Sequence, residues 1–356
     1  MAKTKSTTRS HNDDKRFKTC DNGGAADLNH DVLFLVMMQL RFIDFLAFSG
    51  VCKSWRSFVH SNRNKFMASR PPMLMWIHYC SDNNEYYLED FKGRRFKTLF
   101  PRSSHRGCVG LTYGYIILFA WETKDFWLVN PITNHELYFP CVPNFDPGFM
   151  REGARAVLVF STSISGWVFV MSYRLSDKIW FCIHGKGGWS HVSSTFPILD
   201  LHAFKGKIYA LNNDFRLYEM SLNPHHPKLT LLEINNCLKS CFLRPKLVSL
   251  AGEKLYVIDH IPGKDGDLYR VQELDFGKMK WVLPQEKTNG EEYAFFFTIL
   301  CNGAPVDGAA VKLGSQYKMH ECFPNISTRS RKGRFYATQD MWYFPHECMT
   351  VHHLIE

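Results

Sequence analysis

Apolar positions fall along the chain in three textures, and each predicts a different kind of structure. Residues 1–26 are rich in Lys, Ser, Thr, Asn, Asp and Gly, hold few apolar positions and show no period, which predicts a disordered arm. From residue 27 to about residue 70 apolar residues recur at helical spacing. Asp31 opens the run VLFLVMMQL, Asp44 is placed to cap a short second helix around FLAF, and Cys52–Phe66 reads as a third helix with basic residues between its apolar ones. Pro71 and Pro72 end the pattern, because proline lacks an amide donor and restricts the residue before it. A small three-helix domain is therefore expected over 27–70.

From residue 73 to 356 the texture changes to short runs of Val, Ile, Tyr, Phe and Trp separated by Gly, Asn, Asp and Pro, as in a chain of many short strands. The runs repeat. Each unit has a glycine-led apolar strand, a turn and a second strand that often ends in an aromatic or in a Leu-Asp or Leu-Asn step. Four copies start at Gly114 (YIILFAW, then DFWLVNP), Gly166 (WVFVMSY, then KIWFCIH), Gly206 (KIYALNN, then RLYEMSLN) and Gly252 (EKLYVID, then LYRVQELDF). Their glycines are 52, 40 and 46 residues apart, the spacing of propeller blades. An earlier unit over 73–100 and a later one over 292–344 bring the expected number to about six. The expected fold is mainly β with a small N-terminal α domain: three helices, then a β-propeller of about six blades over 73–356. A β-sandwich with accidental spacing is the alternative. Composition favours the ring, because aromatics make up 15% of the chain and sheets packed face to face need large flat side chains between them. Trp189 and Trp281 are placed to fill that role.

The helical stretch Leu28–Arg56 resembles the F-box. Asp31, Val32, Leu33, Val36, Leu40, Asp44, Leu46, Val51, Cys52, Trp55 and Arg56 fall on that family's pattern without a gap, ending in Val-Cys-Lys-x-Trp-Arg. Asn29 and Arg41 stand where the family often has proline. Some forty residues in three helices cannot bury so many large apolar side chains within themselves, so some should face a partner. The competing reading makes them the core of a helical cap. The resemblance implies docking on a Skp-type adaptor and through it on a cullin ligase. The docking residues would be Leu28, Asp31, Val32, Leu33, Val36, Leu40, Leu46, Val51, Cys52 and Trp55.

The order of elements also looks like a plant class of F-box proteins with a C-terminal kelch-like propeller. The likeness lies in Leu128-Val-Asn130-Pro131, in Leu137-Tyr-Phe-Pro140, in Gly206-Lys-Ile-Tyr209-Ala210 and in Trp342-Tyr343-Phe344. The function implied is that of a substrate-recognition subunit of a Skp–cullin–F-box ubiquitin ligase, its propeller recruiting a target protein that the sequence does not name. Two alternatives stay open: a non-proteolytic scaffold or decoy, and a propeller that binds carbohydrate or acts as an enzyme with the F-box as a regulatory address.

Charge and candidate chemistry change this picture little. The longest apolar runs have seven residues, too few to span a membrane as a helix, and the N-terminus lacks the apolar stretch of a signal peptide. A cytoplasmic or nuclear location, or both, is expected, with no membrane partner. A net charge of +9 is mild for 356 residues, so nucleic acid is not an expected partner. The eleven cysteines lie scattered and read as thiols. Cys237 and Cys241 lack a second pair at zinc-finger spacing, and His346, Cys348, His352 and His353 follow no structural-zinc pattern. Gly185-Lys186-Gly187-Gly188 resembles a phosphate loop in composition alone, Asn325-Ile-Ser327 matches a glycosylation acceptor without a secretory context, and Arg329–Arg334 reads as a solvated basic loop. With no catalytic constellation, no enzyme activity, cofactor or metal is expected.

Overall fold

The computed structural model describes residues 28–343 apart from positions 69, 71, 79–84, 91–92, 99, 101–105, 144–153, 163, 174–175, 224–225, 237–244, 251–253, 262–267, 285–291, 299–307, 314–333 and 339–340. The arm over 1–26, Gly252, the Cys237/Cys241 pair, Asn325–Ser327, residues 329–333 of the basic run and the His/Cys group at 346–353 lie outside the described residues. The chain divides into two compact units, one ending at Arg63 and the other starting at Asn64.

Three helices carry the first texture: α1 (His30–Gln39), α2 (Phe42–Ser49) and α3 (Lys53–Ala68), the last running across the division between the units. The second helix begins earlier than expected. Arg41 occupies its N-cap position and offers no side-chain cap bond, while Asp44 sits in the first turn and pairs with the Arg41 guanidinium. That contact holds the Asp44 carboxyl below its usual range.

The second texture folds as antiparallel meanders. The described strands form five sheets, and the expected number of about six is corrected to five blades. The first contains β1 (Met73–His78), β2 (Glu85–Glu89) and β3 (Arg95–Thr98). The second is β4 (Arg106–Thr112), β5 (Tyr115–Ala120), β6 (Phe126–Val129) and β7 (Glu136–Phe139). The third is β8 (Arg155–Ser161), β9 (Gly166–Ser172), β10 (Lys178–Ile183) and β11 (Ser190–Ser193). The fourth is β12 (Ile198–Phe204), β13 (Lys207–Asn212), β14 (Leu217–Ser221) and β15 (Lys228–Leu231). The fifth starts with β16 (Lys246–Leu250), β17 (Lys254–Ile261), β18 (Leu268–Asp275) and β19 (Lys280–Val282).

The late unit does not make a blade of its own. Its strands β20 (Glu292–Thr298), β21 (Gly308–Leu313) and β22 (Arg334–Thr338) extend the fifth sheet through a parallel pairing of β21 with β16. Its last strand, β23 (Met341–Tyr343), crosses to the first sheet and pairs with β1, Met73 opposite Tyr343. The earliest and latest sequence units thus share one sheet, which is why counting repeats overshoots.

The four glycine-led repeats are the middle strands of four consecutive blades. In two of them the glycine closes a two-residue hairpin: Tyr113 and Gly114 have φ of 48° and 70°, Lys205 and Gly206 of 50° and 71°. Thr112 pairs with Tyr115 and Phe204 with Lys207 on either side. Two successive left-handed residues make the turn whose twist matches that of the strands, and glycine reaches it without a Cβ penalty.

Both faces of a blade are covered by its neighbours, so the middle strands read as unbroken apolar runs. Along β9, Trp167, Phe169 and Met171 join Tyr115, Phe119, Phe126 and Phe139 of the second blade, while Val168 and Val170 join Ile208, Ala210 and Tyr218 of the fourth. A third cluster sets Phe204, Leu211 and Leu217 against Leu247, Val257 and Trp281. Trp189 packs on the first of these clusters and its Nε1 donates to Pro140 O at 2.7 Å. Further hydrogen bonds tie blade to blade: Leu158 N donates to Thr112 Oγ1 at 2.9 Å, and Leu247 N to Asp200 Oδ2 at 2.7 Å.

Candidate adaptor-docking site

Helix α1 is set by its first residues. Asn29 is its N-cap, and Asn29 Oδ1 accepts a hydrogen bond from Asp31 N at 3.0 Å. Asp31, exposed in the first turn, adds a negative charge where the helix dipole is positive. Asn29 therefore supplies by hydrogen bonding what a proline supplies by a fixed backbone angle.

The helix then sorts its apolar residues by angle. Leu33 and Met37, four apart, are buried, Leu33 at 1% exposure. Val32, Leu35 and Val36 fall at the spacing of another face and are exposed, Leu35 at 64%, and Leu28, just before the N-cap, is exposed as well. Leu40 is half-buried at the C-cap of α1, and Leu46 is half-buried in α2. Val51, between α2 and α3, is exposed at 61%.

The end of the motif is structural in its geometry. Cys52 precedes α3; its carbonyl accepts from Arg56 N at 3.0 Å and its Sγ from Trp55 N at 3.5 Å, so it caps the helix. Trp55 is half-buried against Phe48, with ring centroids 4.3 Å apart. Of the ten expected docking residues, the structure exposes Leu28, Asp31, Val32, Val36 and Val51; it buries Leu33 and leaves Leu40, Leu46, Cys52 and Trp55 half-buried. Leu35, absent from that set, belongs to the exposed face. Its spacing of three from Val32, one helical turn, was the signal that could have found it.

The propeller's ionisable groups answer mainly to burial. Burial pushes the Cys108 thiol up to about 12 and the Cys182 thiol up to about 11, so neither is an activated thiolate. Burial lowers His202 to about 4, and its Nε2 has no partner among the described residues. The Gly185–Gly188 segment is a turn between β10 and β11, with Gly185 and Gly187 in the left-handed region. Among the described residues, no group of three His, Cys, Asp or Glu is placed to hold a metal, and no helix is long and apolar enough to cross a membrane.

A three-helix domain with one exposed apolar helix face, followed by a propeller, defines the class: an F-box protein with a β-propeller. The F-box domain model matches residues 26–67, and the KIB1-4 beta-propeller model matches residues 85–298, more than half of the chain. The chain belongs to the KIB1-4 beta-propeller family.

No curated protein matches the chain. Similar solved structures include AztD from Citrobacter koseri, 14% identical over 69% of this chain and 57% of that one, with a TM-score of 0.34. A DUF4784 family protein from Bacteroides caccae is 12% identical over 67% of this chain and 62% of that one, with a TM-score of 0.40. The chain thus spans less than two thirds of either. At these scores the likenesses carry no argument.

Proposed function

We propose that this protein is the substrate-recognition subunit of a Skp–cullin–F-box ubiquitin ligase. F-box domains generally bind Skp-type adaptors, and an F-box joined to a propeller suits a substrate-recognition adaptor. The observation that carries the reading is the apolar face of α1, where Val32, Leu35 and Val36 lie exposed, with exposed Leu28 just before the helix. Three large apolar side chains on one short helix face, with a fourth just before its N-cap, mark an interface.

In this reading the protein acts by proximity and not as an enzyme. The F-box holds it on the ligase while the propeller presents loops to a target, so that a lysine of the target meets the conjugating module at an effective concentration of roughly millimolar. The ligase context carries with it a cytoplasmic or nuclear address. The test is the half-life and ubiquitination of a propeller-bound protein in cells that express the full chain or a Leu35→Asp/Val36→Asp variant. A shorter half-life with the full chain alone supports the reading; equal half-lives and equal ubiquitination reject it in favour of a scaffold or decoy.

A further inference from the structure

We propose that β15, the last strand of the fourth blade, takes up an extended segment of the target protein as an added β-strand. The inference rests on the propeller's being the target-binding part, and it adds to the loops a site on the edge of one blade.

In an antiparallel pair, residues that exchange hydrogen bonds with the neighbouring strand alternate with residues whose N–H and C=O groups point away from it. The strand that ends a meander therefore offers every second residue to its open edge. These strands are β3, β7, β11, β15 and β19. One bond beside each of the first four ladders fixes the phase: Asp90 N donates to Arg94 O, Asn130 N to His135 O, Ser194 N to Asp177 O and Leu232 N to Leu217 O. The edge-facing residues are then Arg95 and Lys97 in β3, Glu136 and Tyr138 in β7, His191 and Ser193 in β11, and Leu229 and Leu231 in β15.

Charged and polar residues on an edge strand discourage further pairing, and so does a covering segment. The edges of β3, β7 and β11 carry such residues. The edge of β19 is covered: Asn236 Nδ2 donates to Trp281 O at 2.8 Å, Trp281 N donates to Asn236 Oδ1 at 2.7 Å, and Asn235 N donates to Met279 O at 2.8 Å. The edge of β15 has neither protection. Its two edge-facing residues are leucines, Leu231 is 39% exposed, and no described residue bonds to their outward N–H and C=O groups.

The cover on β19 shows the chemistry that fills such an edge, since one amide gives a donor and an acceptor to one edge residue. An extended polypeptide repeats that pair at every second position, so main-chain bonds hold it and alternate side chains select it. Charge sets its direction. Lys228 opens β15 and Glu233 follows it; both are exposed, and neither is ion-paired among the described residues. A target strand with an acid opposite Lys228 and a base opposite Glu233 satisfies both. A second copy of this chain does not. Two-fold antiparallel pairing of β15 sets edge-facing residues against edge-facing residues, odd numbers against odd, so Lys228 never meets the Glu233 of the copy.

The test is selection of displayed random peptides on the immobilised full chain, followed by titration of a selected peptide in solution. Selected sequences should alternate β-branched or aromatic residues with polar ones. Leu231→Pro removes one edge N–H and no bond to β14, so it should weaken the peptide about tenfold while the unfolding temperature is kept. The peptide N-methylated at one set of alternate residues should lose binding, and N-methylated at the other set should keep it, a pattern that recognition by side chains alone does not give. Equal binding by both methylated peptides, or equal binding by a folded Leu231→Pro variant, would overturn the proposal. A dimer of the full chain that Leu231→Pro dissolves would overturn it in favour of a second copy. Capture of a Skp-type adaptor is scored separately: adaptor capture without strand addition rejects the β15 site alone, and the reverse rejects the adaptor reading alone.

Discussion

Asn29, a favoured capping residue, and Cys52, an uncommon one, both act at a helix start. Asn29 caps α1 through Asp31 N, and Cys52 caps α3 through Trp55 N. An Asn29→Ala variant should lose about 1 kcal/mol of F-box stability, read by chemical denaturation of the full chain followed through its helical signal. Neither role was legible from the motif, because a consensus marks where a family prefers proline or cysteine and not which backbone amide the residue meets. Leu33 shows the same gap: it fits the pattern as well as Val32 does, but helical angle alone sends one inward and leaves the other outside. His202 was silent in the sequence and has a measurable consequence. Its pKa is about 4 in the fold against 6.5 in an unfolded chain, so above pH 6.5 the ring is stabilised in full by keeping this imidazole neutral. As pH falls from 6.5 to 4 the unfolded chain takes up the proton first, and stability should drop by about 3 kcal/mol over that window. His202→Leu should flatten that part of the stability–pH curve; an unchanged slope would show that another group sets it.

The glycine-led strands were the most legible elements, because the turn chemistry that precedes them is local. Gly206 sits at φ 71° after Lys205 at φ 50°, and a side chain there is strained wherever the rest of the blade goes. Gly206→Val should cost about 1–2 kcal/mol and lower the unfolding temperature, whereas Lys207→Ala, which removes only an exposed pair with Glu219, should shift it little. The reading of α2 erred by placing the cap at Asp44. An acid before an apolar run looks the same at an N-cap as in the first turn, and only the pairing with Arg41 separates the two.

Ring closure was the least legible feature of the whole molecule, since it joins residues some 270 positions apart. Strand β23 is three residues long, yet it completes the first blade, and Tyr343 at its end is buried at 1% exposure. Tyr343→Ala should therefore cost about 3–5 kcal/mol, more than a terminal position suggests, and should expose the chain to limited proteolysis. Resistance equal to that of the parent would show that the ring holds without its last strand. The same closure explains the aromatic content, because sheets that meet on both faces take their bulk from Phe, Tyr and Trp.

At this scale the exposed face of α1 is proposed to hold the protein on its ligase, and calorimetric titration of the full chain with a purified Skp-type adaptor measures that directly. Saturable one-to-one binding, lost by a hundredfold or more in Leu35→Asp/Val36→Asp while the unfolding temperature is kept, is the predicted result. No binding by the parent chain, or equal binding by the variant, would contradict it.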